Sequence, residues 1–380
     1  MIQLSEDHRM IRAAVQELVE KEITPRAAET DKKHEFPKGV IQTLASQGFM
    51  GVNIPPELGG AGMDYLSYAL IIEEVSKGCA STGVIVSVNN SLTLSPLFTF
   101  GNESQKQKWI PPLAKGEKLG CFSLSEPGAG SDAGSIKCEA KREGDHYVVN
   151  GVKNWVTNGK ESDVVILFVT TDPSKKHKGV TCLIVEKGTP GFTVGKLEDK
   201  LGITGSSTTE FVFENCKVPV ENRLGEEGDG FKIAMHTLDG GRIGIAAQAV
   251  GIARDALDKS LKYALERETM GKKIAHHQGI QFKFADMATR IEASQALLYN
   301  ACRLKDAGEP YTRESAMCKL FAAETAMWVA TQAIQIHGGY GYTREFGVER
   351  NFRDAKITEI YEGTSEVQRI VIASHLYKSV

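Results

Sequence analysis

The sequence of 380 residues predicts an α+β fold in three parts: an N-terminal helical domain, a middle antiparallel β-domain and a C-terminal four-helix bundle. Two observations lead to this prediction. Apolar residues recur at helical spacing near both ends of the chain, whereas the middle contains short β-rich runs without helices between them. The length is enough for two or three domains, and the changes of pattern predict their limits at residues 1–115, 116–225 and 226–380.

The first domain begins with an amphipathic segment in which Ile11, Val15, Leu18 and Ile23 lie at helical spacing. Charged residues are mixed into this segment, so it is neither a signal peptide nor a transit sequence. Because the chain begins at Met1 without such a segment, we expect a bacterial cytoplasmic protein, although a processed protein of the mitochondrial matrix would look similar. No apolar run approaches the ~20 residues of a membrane-spanning helix, so no membrane insertion is expected.

The middle domain contains several short runs rich in β-branched and aromatic residues, which predict an antiparallel sheet or barrel. These runs are HYVVNGVKNWVT, DVVILFVTT, KGVTCLIVEK and TTEFVFENCKVP. The first of them contains Asn150-Gly151, a pair that favours a β-hairpin turn.

The C-terminal domain is predicted to contain four helices, which together indicate a bundle. The first spans about 230–268 and the last begins near Ser365. The apolar positions of the second helix are Phe284, Met287, Ile291, Ser294, Leu298 and Cys302. Those of the third are Met317, Leu320, Phe321, Trp328, Thr331 and Ile334. Those of the last are Val367, Ile370, Val371, Ser374 and Tyr377.

The composition excludes some classes of function. With 45 Lys+Arg against 48 Asp+Glu the chain is nearly neutral, and it has no basic tract that could follow a phosphate backbone, so no nucleic-acid partner is expected. The seven cysteines are odd in number and form no CxxC pair, which predicts reduced thiols rather than a disulfide framework or a metal site.

One acidic residue, Glu362, lies between a tyrosine and Gly363-Thr364 in the stretch IYEGTSEVQR. Ser365 and Gln368 have the spacing of a capping box, so the last helix is predicted to begin at Ser365 with Glu362 in the connection before it. From this spacing alone, Glu362 is either an exposed acid that favours the helix N-terminus or a carboxylate directed into a pocket.

Two glycine-containing stretches indicate close contacts. The segment CFSLSEPGAGSDAG, residues 121–134, offers hydroxyl groups and unhindered backbone N–H groups that suit a phosphate or a flavin edge, although ordinary surface loops have a similar composition. Gly240-Gly241 lies inside a predicted helix, where each glycine costs about 1 kcal/mol relative to alanine. Either a bulky group or a tight helix crossing would explain this pair. No glycine cluster opens a βαβ unit, so a nicotinamide site is not expected.

Five motifs together resemble the acyl-CoA dehydrogenase family over essentially the whole chain. They are LSEPGAGSD (124–132), NWVTNG (154–159), LDGGRIGIAAQAVGIA (238–253), QAIQIHGGYGYT (332–343) and IYEGTSEVQR (360–369). Within the family, CASTGVIVSVNNSL and DAKITEIYEGTSEVQR resemble the short-chain, butyryl-CoA branch. The resemblance implies the same three-part fold and assembly as a homotetramer, a dimer of dimers.

The resemblance implies an FAD-dependent α,β-dehydrogenation of short-chain acyl-CoA thioesters, of the butyryl-CoA to crotonyl-CoA type. Glu362 would remove the α-proton, and the β-hydrogen would leave as hydride to the flavin, an acceptor that no side chain supplies. The backbone N–H of Glu362 and a ribityl hydroxyl of FAD would hold the thioester oxygen. An electron-transferring flavoprotein would then receive the electrons.

The resemblance also implies which residues bind the cofactor and the substrate. The cofactor-binding positions are Phe122, Ser123, Leu124, Ser125, Gly130, Ser131, Trp155, Val156, Thr157, Arg267, Gln278, Gln335, Ile336, His337, Gly338, Gly339, Thr364, Ser365 and Glu366. Those from Arg267 to Gly339 match contacts to the adenosine-diphosphate half, commonly from a neighbouring subunit. The substrate-binding positions are Ser131, Asp239, Gly240, Gly241, Arg242 and Gly363.

Some positions depart from the family pattern. Isovaleryl- and long-chain-type relatives carry the base at the place of Gly241, and glycine cannot act as one, so Glu362 is the base that the pattern leaves. Met270 stands where a phenylalanine is often found and Thr204 where many relatives have arginine, which affects the expected FAD and CoA contacts. His337 is expected to be packed rather than catalytic.

Two alternative functions remain open at this stage. An acyl-CoA oxidase, or another flavin enzyme on the same scaffold, would pass electrons to oxygen. A non-catalytic acyl-CoA-binding or assembly protein would keep the fold alone, although the presence of Glu362 argues against it.

Overall fold

A computed structural model describes residues 4–378. Seven helices form the N-terminal part of the protein: α1 Glu6–Leu18, α2 Thr24–Lys33, α3 Lys38–Ser46, α4 Tyr65–Gly78, α5 Ala80–Ser87, α6 Ser95–Phe100 and α7 Glu103–Ala114. Wider π-helical turns at Val19–Ile23 and Val88–Leu94 connect α1 to α2 and α5 to α6. The Ser5 hydroxyl caps α1 by accepting a hydrogen bond from the His8 N–H at 3.2 Å. Val15 and Ile23 are buried, as their helical spacing predicts.

The middle part is an eight-stranded sheet. Its strands are β1 Gly120–Ser123, β2 Glu139–Glu143, β3 His146–Thr157, β4 Val164–Thr170, β5 Val180–Glu186, β6 Phe192–Leu197, β7 Thr208–Pro219 and β8 Arg223–Leu224. The strand order is β6-β7-β3-β2-β4-β5-β8, and β1 also pairs with β4. Most ladders are antiparallel, as predicted, but β1 and β2 are parallel to β4, so the sheet is mixed.

The predicted hairpin turn at Asn150-Gly151 is wrong. Strand β3 continues through these residues and pairs with β7 on both sides of a bulge between Val149 and Gly151. Gly151 has a φ of +146°, and a Cβ there would lie 2.7 Å from the Cα of Cys138, so the close approach of another backbone explains the glycine.

Up to residue 378, where the described chain ends, the C-terminal part contains five helices rather than the predicted four: α8 Gly230–Glu266, α9 Gln278–Asp306, α10 Thr312–His337, α11 Val348–Thr358 and α12 Ser365–Lys378. A short hairpin of β9 Glu268–Thr269 and β10 Lys272–Lys273 connects α8 to α9. Helix α10 packs against α8, α9, α11 and α12, and α4 packs against α8 and α9, so the two helical parts share one core. Within residues 4–378, no helix is long and apolar enough to cross a membrane.

The orientation of α10 differs from its predicted apolar face. The face that packs against the other helices consists mainly of small residues such as Ala322, Ala326 and Ala330, which are fully buried. The larger Met317, which the periodicity placed among the packed residues, is 36% exposed. Small side chains let the helix axes approach closely, and Met317 is left outside this contact.

Candidate active site

Glu362 lies in the connection between α11 and α12, as the sequence predicts. It has a φ of +55°, and the following Gly363 has a φ of +85°. A left-handed conformation costs a non-glycine residue roughly 1–2 kcal/mol. The turn therefore depends on surrounding groups that hold it in place.

Side chains from two helices hold this turn. The amide Nε2 of Gln368, on α12, donates to the carbonyl oxygens of Glu362 and Gly363, both at 2.9 Å. The ammonium of Lys319, on α10, donates to the same Gly363 oxygen at 2.6 Å. Both carbonyl groups of the strained turn are thus fixed by donors from outside it.

The start of α12 at Ser365 is as predicted, but the predicted capping box is wrong. The N-cap is Thr364, whose hydroxyl accepts a hydrogen bond from the Val367 N–H at 3.3 Å. Ser365 is buried inside the first turn and its hydroxyl has no hydrogen-bond partner among residues 4–378. Gln368 reaches back to the turn instead of to a backbone N–H.

The Glu362 carboxylate is directed inward, onto the glycine pair of α8. Its Oε2 atom is buried and has no hydrogen-bond partner within residues 4–378. A Cβ at position 241 would lie 2.7 Å from this oxygen and 2.9 Å from Leu92 Cδ2. The bulky group that the sequence suggested near Gly240-Gly241 is therefore the carboxylate itself, and the geometry does not support an exposed acid at a helix end.

The surroundings of Glu362 shift the pKa of its carboxyl group toward neutral pH. Burial raises the pKa of the Glu362 carboxyl to about 7, while the positive charges of Lys319 and Arg242 oppose this rise. Burial also lowers the pKa of the Lys319 ammonium to about 8. A carboxylate whose pKa lies near the working pH is suited to accept a proton.

The predicted substrate wall on α8 contains an ion pair. The guanidinium of Arg242 donates to Asp239 Oδ1 at 2.6 Å, and Asp239 Oδ2 accepts from the Thr312 hydroxyl at 2.5 Å. Arg242 is only 5% exposed, and its buried Nε has no partner within the described part of the chain. A Cβ at Gly240 would lie 2.6 Å from the ammonium of Lys305, so this glycine also permits a close contact.

Beyond Gly241, polar groups close the same face of α8. Gly244 and Gln248 follow at helical spacing, and a Cβ at Gly244 would lie 2.5 Å from the Tyr68 hydroxyl. Gln248 is fully buried; its amide donates to the Ala80 carbonyl at 2.9 Å and its oxygen accepts from the Tyr361 hydroxyl. This closed end could not be predicted from the sequence, because its residues come from α4, α5, α8 and the Glu362 turn.

The loop after β1 is fastened to strand β3. Lys153, buried in the middle of β3, donates to the Leu124 carbonyl at 2.9 Å and to Glu126 Oε1 at 2.8 Å. The Asn154 N–H donates to the Ser125 carbonyl at 2.9 Å. Burial lowers the pKa of Lys153, and the charge of the adjacent Glu126 carboxylate opposes this effect. This pair was not predicted from the sequence, although a lysine inside an apolar strand is a signal of a buried partner.

Trp155 gives this region an open aromatic surface. It has a φ of +61°, lies at a bulge in the β3–β7 ladder, and is 60% exposed. Nearby on the chain, Gly128 and Gly130 have open space where a Cβ would point, and the Ser123 hydroxyl is buried without a partner within residues 4–378. An exposed indole, open glycines and an unpaired hydroxyl fit a planar cofactor with many polar atoms, as FAD is.

The other residues predicted near the flavin differ in exposure. Phe122 packs on Phe168 with ring centroids 4.8 Å apart. Leu124 and Val156 are buried, Ser125 and Thr157 are half-buried, and Ser131 is exposed. Thr364 is half-buried and Glu366 is exposed at the start of α12.

A second group of predicted cofactor residues lies at the far end of α8. The Arg267 guanidinium is 5.7 Å from the centroid of the Tyr340 ring, which follows the 335–339 run. The exposed members of this group are Gln278, Gln335, Gly338 and Gly339, whereas Ile336 and His337 are buried. From Gly241 to Glu266, α8 extends about 38 Å at the usual rise of about 1.5 Å per residue. The chain therefore does not bring this group to the Glu362 turn.

His337 is a packed histidine, as expected. Its Nδ1 is 2.8 Å from the Ala333 carbonyl oxygen, and its ring stacks on Tyr263 with centroids 4.3 Å apart. Burial lowers the pKa of His337. The two positions that depart from the family pattern lie away from Glu362 in sequence: Thr204 donates to Asp31 Oδ1 at 2.9 Å, and Met270 is 91% exposed in the β9–β10 hairpin.

Within the described residues, no group of three or more His, Cys, Asp or Glu side chains is placed to hold a metal ion. The seven cysteines are buried and unpaired: Cys79, Cys121, Cys138, Cys182, Cys216, Cys302 and Cys318. Burial raises the thiol pKa at several of them, which makes them poor nucleophiles.

Three family models match the chain in order: acyl-CoA dehydrogenase N-terminal domain at residues 5–117, middle domain at 121–216 and C-terminal domain at 228–377. The short-chain specific mitochondrial acyl-CoA dehydrogenase of Rattus norvegicus is 53% identical over 378 residues, covering 100% of this chain and 92% of the relative. The solved butyryl-CoA dehydrogenase of Megasphaera elsdenii is 46% identical with a TM-score of 0.97, covering 99% of this chain and 100% of that one.

A third similar protein comes from work on the electron transferring flavoprotein of Acidaminococcus fermentans and the mechanism of flavin-based electron bifurcation. The matching chain in that structure is 49% identical, with a TM-score of 0.98 and 99% of both chains covered.

Proposed function

Because this chain belongs to the acyl-CoA dehydrogenase family, we propose that it catalyses the FAD-dependent α,β-dehydrogenation of short-chain acyl-CoA thioesters with Glu362 as the base. One observation supports this role above the others. The Glu362 carboxylate is directed onto Gly241 of α8 and has an oxygen without a hydrogen-bond partner in residues 4–378. Burial raises the pKa of this carboxyl group to about 7.

In the proposed reaction Glu362 removes the α-proton of the thioester and keeps it on its carboxyl group. The backbone N–H of Glu362 donates no hydrogen bond within the described residues, so it is free to bind the thioester oxygen. A donor in this position stabilises the negative charge that develops on that oxygen as the proton leaves. The left-handed turn thus presents an acceptor and a donor from the same residue.

FAD, when bound, supplies the hydride acceptor that no side chain can provide. The residues that would hold it are the open indole of Trp155 with the following Val156 and Thr157, the loop from Phe122 to Ser131, and the start of α12 from Thr364 to Glu366. The buried contacts of Lys153 hold the first two of these elements together. The exposed indole of Trp155 and the open space at Gly128 and Gly130 suit a planar flavin ring, which supports this assignment.

The second cofactor group, Arg267, Gln278 and Gln335 to Gly339, supports the proposal of a homotetramer. The roughly 38 Å along α8 exceeds the diameter of a small domain, so this group is too distant to serve the Glu362 site of the same chain. We propose that it binds the adenosine-diphosphate half of FAD for a neighbouring subunit. Cofactor binding and assembly would then stabilise each other by mass action.

The closed polar end of the α8 face supports a short acyl chain. The Tyr68 hydroxyl shares a hydrogen bond with the Ser87 hydroxyl. Gln248 donates to the Ala80 carbonyl and accepts from the Tyr361 hydroxyl. A long apolar chain would have to disrupt these buried hydrogen bonds. We propose a preference for C4 to C6 substrates. An electron-transferring flavoprotein is the proposed electron acceptor, supported by the similarity to the chain in the Acidaminococcus fermentans study.

The test is anaerobic reduction of the bound flavin by a panel of straight and branched acyl-CoA thioesters from C4 to C8. We expect butyryl-CoA to bleach the flavin absorbance quickly and octanoyl-CoA to do so more slowly. Faster reduction by octanoyl-CoA would reject the chain-length proposal, and no reduction by any thioester would favour a non-catalytic binding protein. Rapid reoxidation of the reduced flavin in air would favour the acyl-CoA oxidase alternative.

A further inference from the structure

The environment of Lys319 differs from that of the other charged groups around the candidate active site. Lys319 is completely buried on α10, in a face made otherwise of small residues, and lysine is rarely buried without a partner. Within residues 4–378 it has no carboxylate at ion-pair distance, and its ammonium donates at 2.6 Å to the carbonyl oxygen of Gly363. A buried ammonium without a counter-ion is costly, so its position needs a reason beyond packing.

We infer that Lys319 is a positioning residue of the proposed dehydrogenation, which holds the Glu362–Gly363 turn in its left-handed form and supplies the positive charge that keeps the Glu362 carboxylate ionised. This inference rests on the proposed function. The structure separates the two contributions, because Gln368 donates to the same Gly363 oxygen at 2.9 Å without carrying a charge.

Several charged or titratable groups face this pair. From α8, Arg242 also adds a positive charge near Glu362, but its charge is shared with Asp239 in an ion pair. From α4 and from the turn itself, Tyr68 and Tyr361 contribute hydroxyl groups whose pKa values are raised by burial, so both stay neutral around pH 7. The remaining charges around Lys319 are those of Glu359 and Glu366. Lys319 is therefore a cation near Glu362 without its own ion-pair partner.

The direction of the pH effect follows from these charges. Burial raises the pKa of Glu362, and the charge of Lys319 opposes this rise more strongly than the charge of Arg242 does. Removing the Lys319 charge should raise the pKa of Glu362 further, because a nearby positive charge favours the ionised form of a carboxyl group. The base would then be protonated, and inactive, over a wider range of pH.

The experiment compares FAD-loaded wild type with Lys319→Met, Lys319→Arg and Gln368→Met, using anaerobic flavin reduction by butyryl-CoA from pH 5.5 to 9.5. For Lys319→Met we expect the midpoint of the pH–rate profile to rise by about 1 unit or more, which is about a fivefold loss at pH 7 from protonation alone. Lys319→Arg keeps the charge and should keep the midpoint. The matched control Gln368→Met removes a donor from the same carbonyl, so it should lower the rate at every pH without moving the midpoint.

A second readout does not depend on turnover. Infrared difference spectra between low and high pH, corrected with Glu362→Gln, report the titration of the Glu362 carboxyl without substrate, and its midpoint should rise in Lys319→Met. An unchanged or lower midpoint in both measurements would overturn the inference, as would an equal rise in Gln368→Met. If Lys319→Met does not fold, Lys319→Gln provides the same comparison. Failure of wild type to reduce its flavin would instead reject the proposed function.

Discussion

Glu362 and Trp155 are both non-glycine residues with a left-handed backbone, with φ values of +55° and +61°, but the protein holds them in different ways. Trp155 lies at a bulge within one ladder of the sheet, and its side chain is open to solvent. The Glu362 turn is held by side chains from α10 and α12, and its carboxylate is directed inward. The exposed surface at Trp155 thus depends on one ladder of the sheet, whereas the Glu362 turn is assembled from segments distant in sequence.

This difference matches the chemistry proposed for each region. A surface that receives a planar ring needs an open aromatic side chain and tolerates solvent. A base needs a fixed position and a partly dehydrated carboxylate, because desolvation raises its affinity for a proton. Each region therefore has its own predicted sensitivity to mutation.

The largest expected effect is that of Glu362→Gln on flavin reduction. The substitution keeps size and hydrogen bonding but removes the proton acceptor, so the anaerobic rate with butyryl-CoA should fall by roughly 10²- to 10⁴-fold at pH 8. Flavin content should hardly change, because the side chains proposed to hold FAD are all left in place. In wild type the rate should rise as pH increases through about 7, because the ionised carboxylate is the active form. A variant rate within a few-fold of wild type would refute the assignment and redirect attention to Asp239 and Arg242.

The region proposed to face the flavin should be most sensitive at Lys153. Lys153→Met leaves the Glu126 carboxylate buried without a cation, although it still accepts from the Lys137 and Cys138 N–H groups at 2.6 and 2.9 Å. Breaking a buried ion pair in this way costs about 3–5 kcal/mol, so thermal unfolding should occur at lower temperature and flavin content should fall. The double variant Lys153→Met, Glu126→Gln should recover part of the loss. Normal stability in the single variant would show that the pair does not fasten the loop.

A smaller effect is expected on the stability of Glu362→Gln. The pKa of Glu362 is raised in the folded protein, so its contribution to stability is complete below the unfolded pKa of about 4.3 and is lost as pH rises through about 7. At pH 8 the Gln variant should therefore be more stable than wild type by about 1–3 kcal/mol, and at pH 4 the two should be similar. Urea unfolding at both values measures this difference. A loss of about 0.3–1 kcal/mol at pH 8 would instead indicate a favourable charge at the helix N-terminus.

The sequence predicted features that depend on local patterns. The three-part fold, the start of α12 and the connection that contains Glu362 were predicted from the spacing of apolar residues and from helix-capping residues. The structure confirms all three. The N-cap is displaced by one residue, to Thr364, because Gln368 is used by the turn. The Asn150-Gly151 hairpin was wrong because a glycine that permits a close backbone approach has the same sequence signal as a turn.

Features that depend on tertiary contacts could not be predicted in this way. Lys319 is 43 positions before Glu362 in sequence, and a lysine among alanines on a helix looks like an exposed residue. The prediction that Met317 and Thr331 lie on the packed face of α10 was wrong for a related reason, since the close helix contacts are made by small side chains. The domain limits, the roles of the cofactor residues and the cellular compartment stay predictions.

Helix α8 fixes the relation between two distant sets of residues. Gly241 lies beneath the Glu362 carboxylate, and the helix then continues unbroken to Glu266, just before Arg267. Because each residue of an α-helix turns the chain by about 100°, one residue inserted between these points would rotate one set against the other. A change in the length of this helix would therefore require compensating changes at both ends.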